Sequence, residues 1–245
     1  MNFKAVLKNL LPSQMLDRLS YIKNTYFDGA AYKSFANDGE DLILKRIFGK
    51  QELGFYIDVG AHHPKQFSNT YVFYQKGWRG INIDAMPHSM GLFNKLRHRD
   101  INIEKAISDQ KETLTYYMFN VPALNGFSKE LSVERNGVEN YRIISEQKIE
   151  TSTLEEILET YLPIEQEIDF LTIDVEGLDY KVLRSNNWEK YRPKVIVIEA
   201  GQLTCEEALA DEISNYLKAK GYYLIAKTLD NLIWINDLSL AYRKR

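Results

Sequence analysis

The stretch Phe55-Tyr56-Ile57-Asp58-Val59-Gly60-Ala61 decides how this chain is read. Residues 55–59 are β-rich and end at Gly60, after which Ala61, His62, His63 and Pro64 lead into a loop. A strand that delivers a carboxylate and then a glycine lets the backbone approach a ligand with no Cβ between them. Outward from this stretch, short apolar runs alternate with helical ones. Ser68 to Gln75 reads as a helix with Ser68 as N-cap and Gly77 as its stop. Gly80 to Ile83 reads as a strand ending at Asp84, Met86 to Arg97 as a helix, and Ile101 to Ile107 as a third strand. Farther on, Thr153 to Tyr161 is helical, with Thr151 or Ser152 near its cap, and Ile168 to Ile173 is a strand ending at Asp174. Asp179 to Ser185 is a helix, Lys194 to Ile198 a strand ending at Glu199, and Glu206 to Lys220 one helix stopped by Gly221. Tyr222 to Lys227 and Asn231 to Ile235 form a hairpin. The alternation predicts an α/β fold with a parallel, doubly wound sheet, and the hairpin makes one of its two strands antiparallel.

Residues 1 to about 50 read as a helical extension ahead of the main domain, 51–245. Phe3, Val6, Leu7, Leu10 and Leu11 fall at helical spacing, as do Met15, Leu16, Leu19 and Ile22 after Pro12, and a further helix covers Glu40 to Phe48. Such a stripe suits packing on the main domain or on a partner copy in a homodimer better than a membrane surface. Residues 108–148 interrupt the alternation with a polar, irregular segment that reads as a lid, Leu114 to Phe119 being its one strand-like piece. Within it Asn125, Phe127 and Ser128 are candidates to face a substrate, whereas Tyr116 and Tyr117 read as packing residues.

The composition is that of a globular protein: 245 residues, 44% hydrophobic and 27% charged. A net charge of -3 gives no global basic field for nucleic acid, and Arg243-Lys244-Arg245 reads as a solvated end. Cys205 is the single cysteine, which excludes an intramolecular disulfide and a cysteine-rich metal site. No apolar run reaches the roughly 18 residues of a membrane helix, and the first residues lack a signal-peptide pattern, so the expected location is the cytoplasm.

In an open parallel sheet, ligands bind beyond the carboxyl ends of the strands. Those ends are Asp58 to Ala61, Asp84, Ile107 to Asp109, Asp174 to Gly177, and Glu199, and acidic residues recur at them. The glycines that seat a pyrophosphate in a G-x-G-x-x-G loop are missing after Gly60, which disfavours dinucleotides and leaves an adenosyl ligand without phosphate. Asp84 at the tip of the next strand can accept hydrogen bonds from both ribose hydroxyls, or simply close an Asx turn. Asp174 and Glu176, spaced i and i+2, can share a proton, bind a divalent cation or grip hydroxyls; the plainer alternative is a helix cap and a surface charge.

Several motifs in order carry a resemblance: Asn37-Asp38-Gly39-Glu40-Asp41-Leu42-Ile43-Leu44, the stretch 55–61, Lys76-Gly77-Trp78-Arg79-Gly80-Ile81-Asn82-Ile83-Asp84, Ala106-Ile107-Ser108 and Ile173-Asp174-Val175-Glu176-Gly177. Over roughly 35–200 the chain resembles the FkbM methyltransferases. The resemblance implies a Rossmann-like class I methyltransferase fold of seven strands, S-adenosylmethionine as cofactor, and a hydroxyl of a sugar or polyketide-like acceptor as substrate. By position, Asp58, Gly60 and Ala61 would frame the methionine end of the cofactor. Asp84 and Ala85 would hold the ribose, the Glu104 to Ser108 stretch, with Ala106 and Ser108 named in it, would flank the adenine, and Asn37 would close over the cofactor, with Asp174 also near it. This chain has Ala36-Asn37 where Ser-Gln is usual and Asp84 where Glu is common. Removal of the acceptor's proton falls to His63, Asp174 or Glu176, or to Mg²⁺ or Mn²⁺ held by Asp174, Glu176 or Glu199. Methylation of a nitrogen or of a non-sugar small molecule, and a nicotinamide-dependent oxidoreductase, are the rival readings.

Overall fold

The structure, a computed structural model, describes residues 12–240. The chain divides into two compact units, one ending at Lys33 and the other beginning at Ser34. The first holds helix α1 (Ser13–Tyr26), which starts directly after Pro12. The apolar stripe from Phe3 to Leu11 and the basic end Arg243 to Arg245 lie outside the described residues. Among the described residues, no helix is long and apolar enough to cross a membrane.

The second unit opens with α2 (Glu40–Phe48), β1 (Phe55–Val59), α3 (Tyr71–Gln75), β2 (Arg79–Asp84), α4 (Met90–Leu96) and β3 (Ile101–Glu104). An insertion follows: β4 (Ala106–Ile107), β5 (Thr113–Phe119), a 3-10 turn (Pro122–Leu124), α5 (Lys129–Arg135) and β6 (Ile143–Ser152). The alternation resumes with α6 (Leu154–Tyr161), β7 (Phe170–Ile173), α7 (Asp179–Arg184), β8 (Val195–Glu199), α8 (Cys205–Ala210), α9 (Glu212–Ala219), β9 (Tyr223–Lys227) and β10 (Asn231–Ile235). The main sheet has seven strands in the order β3-β2-β1-β7-β8-β10-β9. The first five are parallel, and β10 lies antiparallel to both β8 and β9. This is the Rossmann-like methyltransferase architecture expected from the sequence. Strand order reverses at β1, whose neighbours are β2 and β7, so the crevice for a ligand opens there.

Side-chain alternation assigns the two faces of the sheet. Phe55, Ile57 and Val59 join Ile81, Ile83, Leu171, Ile173, Ile196 and Ile198 in one buried cluster. Tyr56 and Phe170 join Leu44, Phe73, Trp78, Val195 and Ile233 in the other. Helix α2 thus contributes Leu44, Ile47 and Phe48 to the core of the second unit. Gly80 is required beside Tyr56, because a Cβ there would sit 2.0 Å from the Tyr56 ring.

Four local readings are corrected by the structure. The strand read over 101–107 breaks after Glu104; β3 pairs with β2, while Ala106 and Ile107 leave the main sheet to pair with Thr151 and Ser152 of β6. The segment 108–148 is largely regular, because β5 and β6 form an antiparallel ribbon from Thr113–Glu150 to Phe119–Ile143. Polar residues such as Glu146, Gln147 and Lys148 occupy much of β6, so no apolar period announced it. The helix read over 206–220 is two, since Asp211 caps a new start by accepting a hydrogen bond from the N–H of Ile213. Thr153 itself caps α6, whereas Thr151 and Ser152 end β6. Smaller shifts are that α3 begins at Tyr71, whose N–H donates to the Ser68 hydroxyl, and α4 begins only at Met90.

The layer between β1, β2 and the helices holds a buried polar hub. Arg97 is fully buried and donates to Asp100 Oδ2 (2.8 Å), the Pro64 carbonyl (3.2 Å), the Tyr56 hydroxyl (2.9 Å), Thr70 Oγ1 (3.0 Å) and Asn82 Oδ1 (3.1 Å). Asp100 in turn accepts from Tyr56, Asn82 and the Gly80 N–H. A buried charge with its partner removed is among the costliest defects a fold can carry. Arg97→Met is therefore expected to lower stability by about 3–5 kcal/mol in urea unfolding; a loss below about 1 kcal/mol would show that the hub contributes little.

Candidate functional site

The carboxyl ends of β1, β2, β7 and β8 surround a cavity of about 540 Å³, roofed by the insertion. Two backbone segments meet at its floor. Gly60 has φ +84°, and a Cβ on it would lie 1.7 Å from the Asp174 carbonyl oxygen. The N–H groups of Gly60 and Ala61 both donate to the Ile83 carbonyl, and that of Asp174 donates to Val59. Only glycine permits β1, β2 and β7 to end this close together.

Asp84 lines the cavity at the tip of β2. Its two oxygens accept from the backbone N–H groups of Met86 and His62, each at 2.8 Å. Burial raises its pKa while these hydrogen bonds oppose the rise. Each oxygen retains a lone pair, so the carboxylate can still accept from two hydroxyls. Val59, Ile83, Ala85, Met86 and Ile107 give this part of the cavity an apolar wall.

Across the switch point, Asp174 is exposed at the same cavity, and Glu176 and Glu199, both partly buried, line it as well. One carboxylate oxygen of each lies within 4.8 Å of the others, close enough to hold a metal ion together. Burial raises the pKa of all three, and for Asp174 and Glu199 the neighbouring negative charges add to the rise. For Glu199 the largest of these neighbouring charges is that of Asp174. Glu176 is held differently: its Oε2 accepts from Arg135 at 2.6 Å, and the guanidinium opposes the burial effect. Chemically, the arrangement is two neighbouring carboxyls with raised pKa values beside an ion-paired carboxylate. Asp179 anchors the turn from below, accepting from the N–H groups of Val175 (3.0 Å) and Gly177 (3.1 Å).

Of the residues singled out by sequence, Asn37, Gly60, Asp84, Ala85, Asp174 and Glu176 are brought together on this cavity, with Glu199. Asn125 and Phe127 of the insertion line it too, whereas Ser128 and the remaining candidates are not on its wall. Asp58 lies on the Tyr56 side of β1 and accepts from Thr70 Oγ1 at 2.7 Å. Ala61 packs on Met90 and Phe93. Ala106 and Ser108 are buried, whereas Lys105 and Ile107 line the cavity; strand alternation turns the pair named from sequence to the wrong side. His63 also stands off the wall, its Nδ1 accepting from the N–H groups of Lys65 and Gln66. Its neighbour His62 takes the cavity position, at φ +50°, with an imidazole pKa lowered chiefly by burial.

Residues missed by sequence reasoning come mostly from distant segments. Glu40 is fully buried in the wall and accepts from the Asp38 N–H, Thr228 Oγ1 (2.6 Å) and Asn231 Nδ2 (3.1 Å), tying α2 to the hairpin turn. Asn69 reaches Thr172 Oγ1 at 2.9 Å. Phe67, at φ +52°, stacks near His62, with ring centroids 6.3 Å apart. Tyr116, read as a packing residue, lines the cavity and meets Phe127 at 4.8 Å; Phe127 and Asn125, both singled out by sequence, belong to the roof, Asn125 with Nδ2 on Met86 Sδ at 3.4 Å. Positive φ at three non-glycine wall residues, His62, Phe67 and Glu176, also marks the site and leaves no trace in the sequence.

Residues 58–224 match the family of the methyltransferase FkbM domain. No curated protein matches the chain. Among solved structures, the chain is similar to the delta-N METTL16 MTase domain (12% identity, 81% of each chain, TM-score 0.40). It is also similar to precorrin-6y C5,15-methyltransferase from Geobacter metallireducens GS-15 (14% identity, 84% of this chain and 90% of that one, TM-score 0.37).

The Asp58 carboxyl has its pKa raised to about 6, chiefly by burial, with the Thr70 hydrogen bond opposing. The folded value exceeds the unfolded one, so the fold favours the protonated form. Stability from this group is present below about pH 4 and is lost as pH rises through 6, a difference of at most about 3 kcal/mol. Asp58→Asn should therefore gain on the unsubstituted protein as pH goes from 4 to 8; a melting-temperature difference that stays flat across that range would contradict the assignment.

Proposed function

The chain belongs to the FkbM methyltransferase family and is a methyltransferase, and on that premise we propose that it methylates a hydroxyl of a sugar or glycoconjugate precursor with S-adenosylmethionine. The observation that carries this reading is one cavity lined both by Asp84, with lone pairs for two hydroxyls, and by the neighbouring Asp174 and Glu199 carboxyls, whose pKa values are raised. The cofactor that the family implies fits the first of these. Asp84 would hold the ribose, the apolar wall of Ile83, Ala85, Met86 and Ile107 would take the adenine, and the Gly60 backbone would pass beneath the methionine end. When bound, S-adenosylmethionine supplies an electrophilic methyl group on a sulfonium.

The residues of the chain do the rest. Alignment of nucleophile and methyl group supplies most of the acceleration in such a displacement. A hydroxyl is a weak nucleophile, and Asp174, supported by Glu199, is the group we assign to accept its proton. His62 takes second place as a base; His63 is withdrawn from that role, because its ring acceptor is spent within the loop. Aromatic groups (Phe67, Tyr116, Phe127) beside amides and carboxylates (Asn69, Asn231, Glu199) suit a polyhydroxylated ring, which offers both an apolar face and many donors. The insertion 108–148 acts as the lid of the domain in this reading, the extension that pairs two copies is the part ahead of Ser34, since α2 belongs to the core of the second unit, and the location is the cytoplasm.

A second reading is favoured by the three carboxylate oxygens within 4.8 Å: a divalent cation, Mg²⁺ or Mn²⁺, would be held by Asp174, Glu176 and Glu199, hard oxygen donors suited to either. Binding would require all three to be ionised, so affinity for Mn²⁺ would rise with pH. Thermal shift in Mn²⁺ against chelator, at pH 6 and pH 8, separates the readings: stabilisation that grows with pH and vanishes in Asp174→Asn favours the cation.

Two outcomes test the main proposal. Isothermal titration should show S-adenosylhomocysteine binding that weakens roughly 10- to 100-fold in Asp84→Asn, since a charged acceptor becomes a neutral one; no heat with the unsubstituted protein would sink the cofactor assignment. With neutral pyranosides as acceptors, Asp174→Asn should lower kcat by about 10²–10⁴ with S-adenosylhomocysteine affinity retained. Because burial raises the pKa of the Asp174–Glu199 pair, kcat should climb with pH as the pair loses its proton.

A further inference from the structure

The roof of the cavity is attached to its wall by very little. Helix α5 (Lys129–Arg135) buries only Ser132, and Val133 is 62% exposed. Segments with few buried apolar contacts open at low free-energy cost. What holds this one is concentrated on the turn 174–177. Gly126 lies flat against that turn, where a Cβ would come 2.8 Å from Glu176 Cβ and 2.9 Å from the Glu176 carbonyl oxygen. Gly177, at φ +101°, presses from the other side on Ser128, the residue that caps α5, where a Cβ would come 2.9 Å from Ser128 Cβ. Such surfaces fit closely but make no strong bond. The strong bond is the 2.6 Å ion pair from Arg135 to Glu176, with 28% and 18% of the two side chains exposed.

Glu176 itself sits at φ +55°, a conformation that costs a non-glycine residue energy and persists only where the surroundings impose it. Asp179 holds the turn's N–H groups from below and Arg135 holds the side chain from above. The same contact therefore fixes the lid to the wall and a wall carboxylate to its place.

We propose that Arg135 is a positioning residue that latches the lid: its ion pair with Glu176 keeps residues 121–135 shut over the cavity and sets the rate at which cofactor product leaves. The inference rests on the cavity being the cofactor site. Val121 to Asn125 and Phe127, which form the roof, are also tied to β5 through Gly126–Tyr117 and Asn125–Phe119 and to the wall through Asn125–Met86, so the latch acts on the α5 end of the roof.

The experiment follows S-adenosylhomocysteine release by isotopic chase, and hydrogen exchange of the peptides covering 121–142, in the full chain. Arg135→Gln should speed release roughly tenfold, as for loss of a charge-assisted hydrogen bond, and raise lid exchange while the melting temperature moves little. Arg135→Lys should restore most of both, because the charge and a donor remain. Glu176→Gln, which weakens the pair from the wall side, should loosen the lid in the same way and guards against a folding defect peculiar to Arg135. Unchanged release and unchanged lid exchange in Arg135→Gln and Glu176→Gln would overturn the latch. If the unsubstituted protein does not bind S-adenosylhomocysteine, the cofactor assignment fails instead, and lid exchange in the variants still decides whether Arg135 holds the lid.

Discussion

The contact between Gly60 and the Asp174 carbonyl is the constraint on which the rest of the site depends. A side chain on residue 60 would occupy the same space as that oxygen, so β1 and β7 can end side by side only with glycine there. The close approach places Asp84, which binds the N–H of His62 just past Gly60, and Asp174, at the tip of β7, on one cavity. It also places the turn 174–177 where the insertion can rest on it. The cavity wall, its carboxylates and the insertion over it thus meet at a single backbone junction at the topological switch point.

Two groups of buried carboxylates flank that junction, and the fold treats them differently. On the helix side of β1, Asp100 is matched by Arg97, and Asp58 is reached through Thr70, giving a hub in which polar groups are hydrogen-bonded. Such a network fixes the loop 60–70 from behind, since Arg97 holds both the Pro64 carbonyl and the Thr70 hydroxyl. On the cavity side, no ion pair of Asp174 or Glu199 is found among the described residues, and both carboxyls have raised pKa values. Perturbed acids of this kind cluster at functional sites. Arg135 discharges only Glu176, and it does so from a segment with little else to anchor it.

Much of this was legible in the residues. The strands, their acidic tips, the reversed hairpin and the absence of pyrophosphate glycines all follow from local periodicity and turn chemistry. Each of these is decided within a few residues, so a sequence window contains the whole cause. The family resemblance of the linked motifs reaches the same fold. The errors share a different cause. Asp211 starts a second helix because its side chain caps, a choice indistinguishable in sequence from an exposed helical acid. Strand β6 carries polar residues through most of its length because its ribbon is largely exposed, so its pairing with β5 left no apolar trace.

What the sequence determined by itself was therefore the kind of fold, the positions of Gly60, Asp84 and Asp174 at strand ends, and the class of ligand such ends accept. What only the tertiary structure decided was which side each neighbour faces and which distant groups meet. His62 rather than His63, and Lys105 and Ile107 rather than Ala106 and Ser108, line the cavity because a one-residue change of phase reverses a side chain's direction. Glu40 meets Asn231, and Arg135 meets Glu176, across separations that no local pattern spans. Their pairing is fixed by chain topology and by the cost of leaving a buried charge unmatched, and both act only once the sheet has closed around the site.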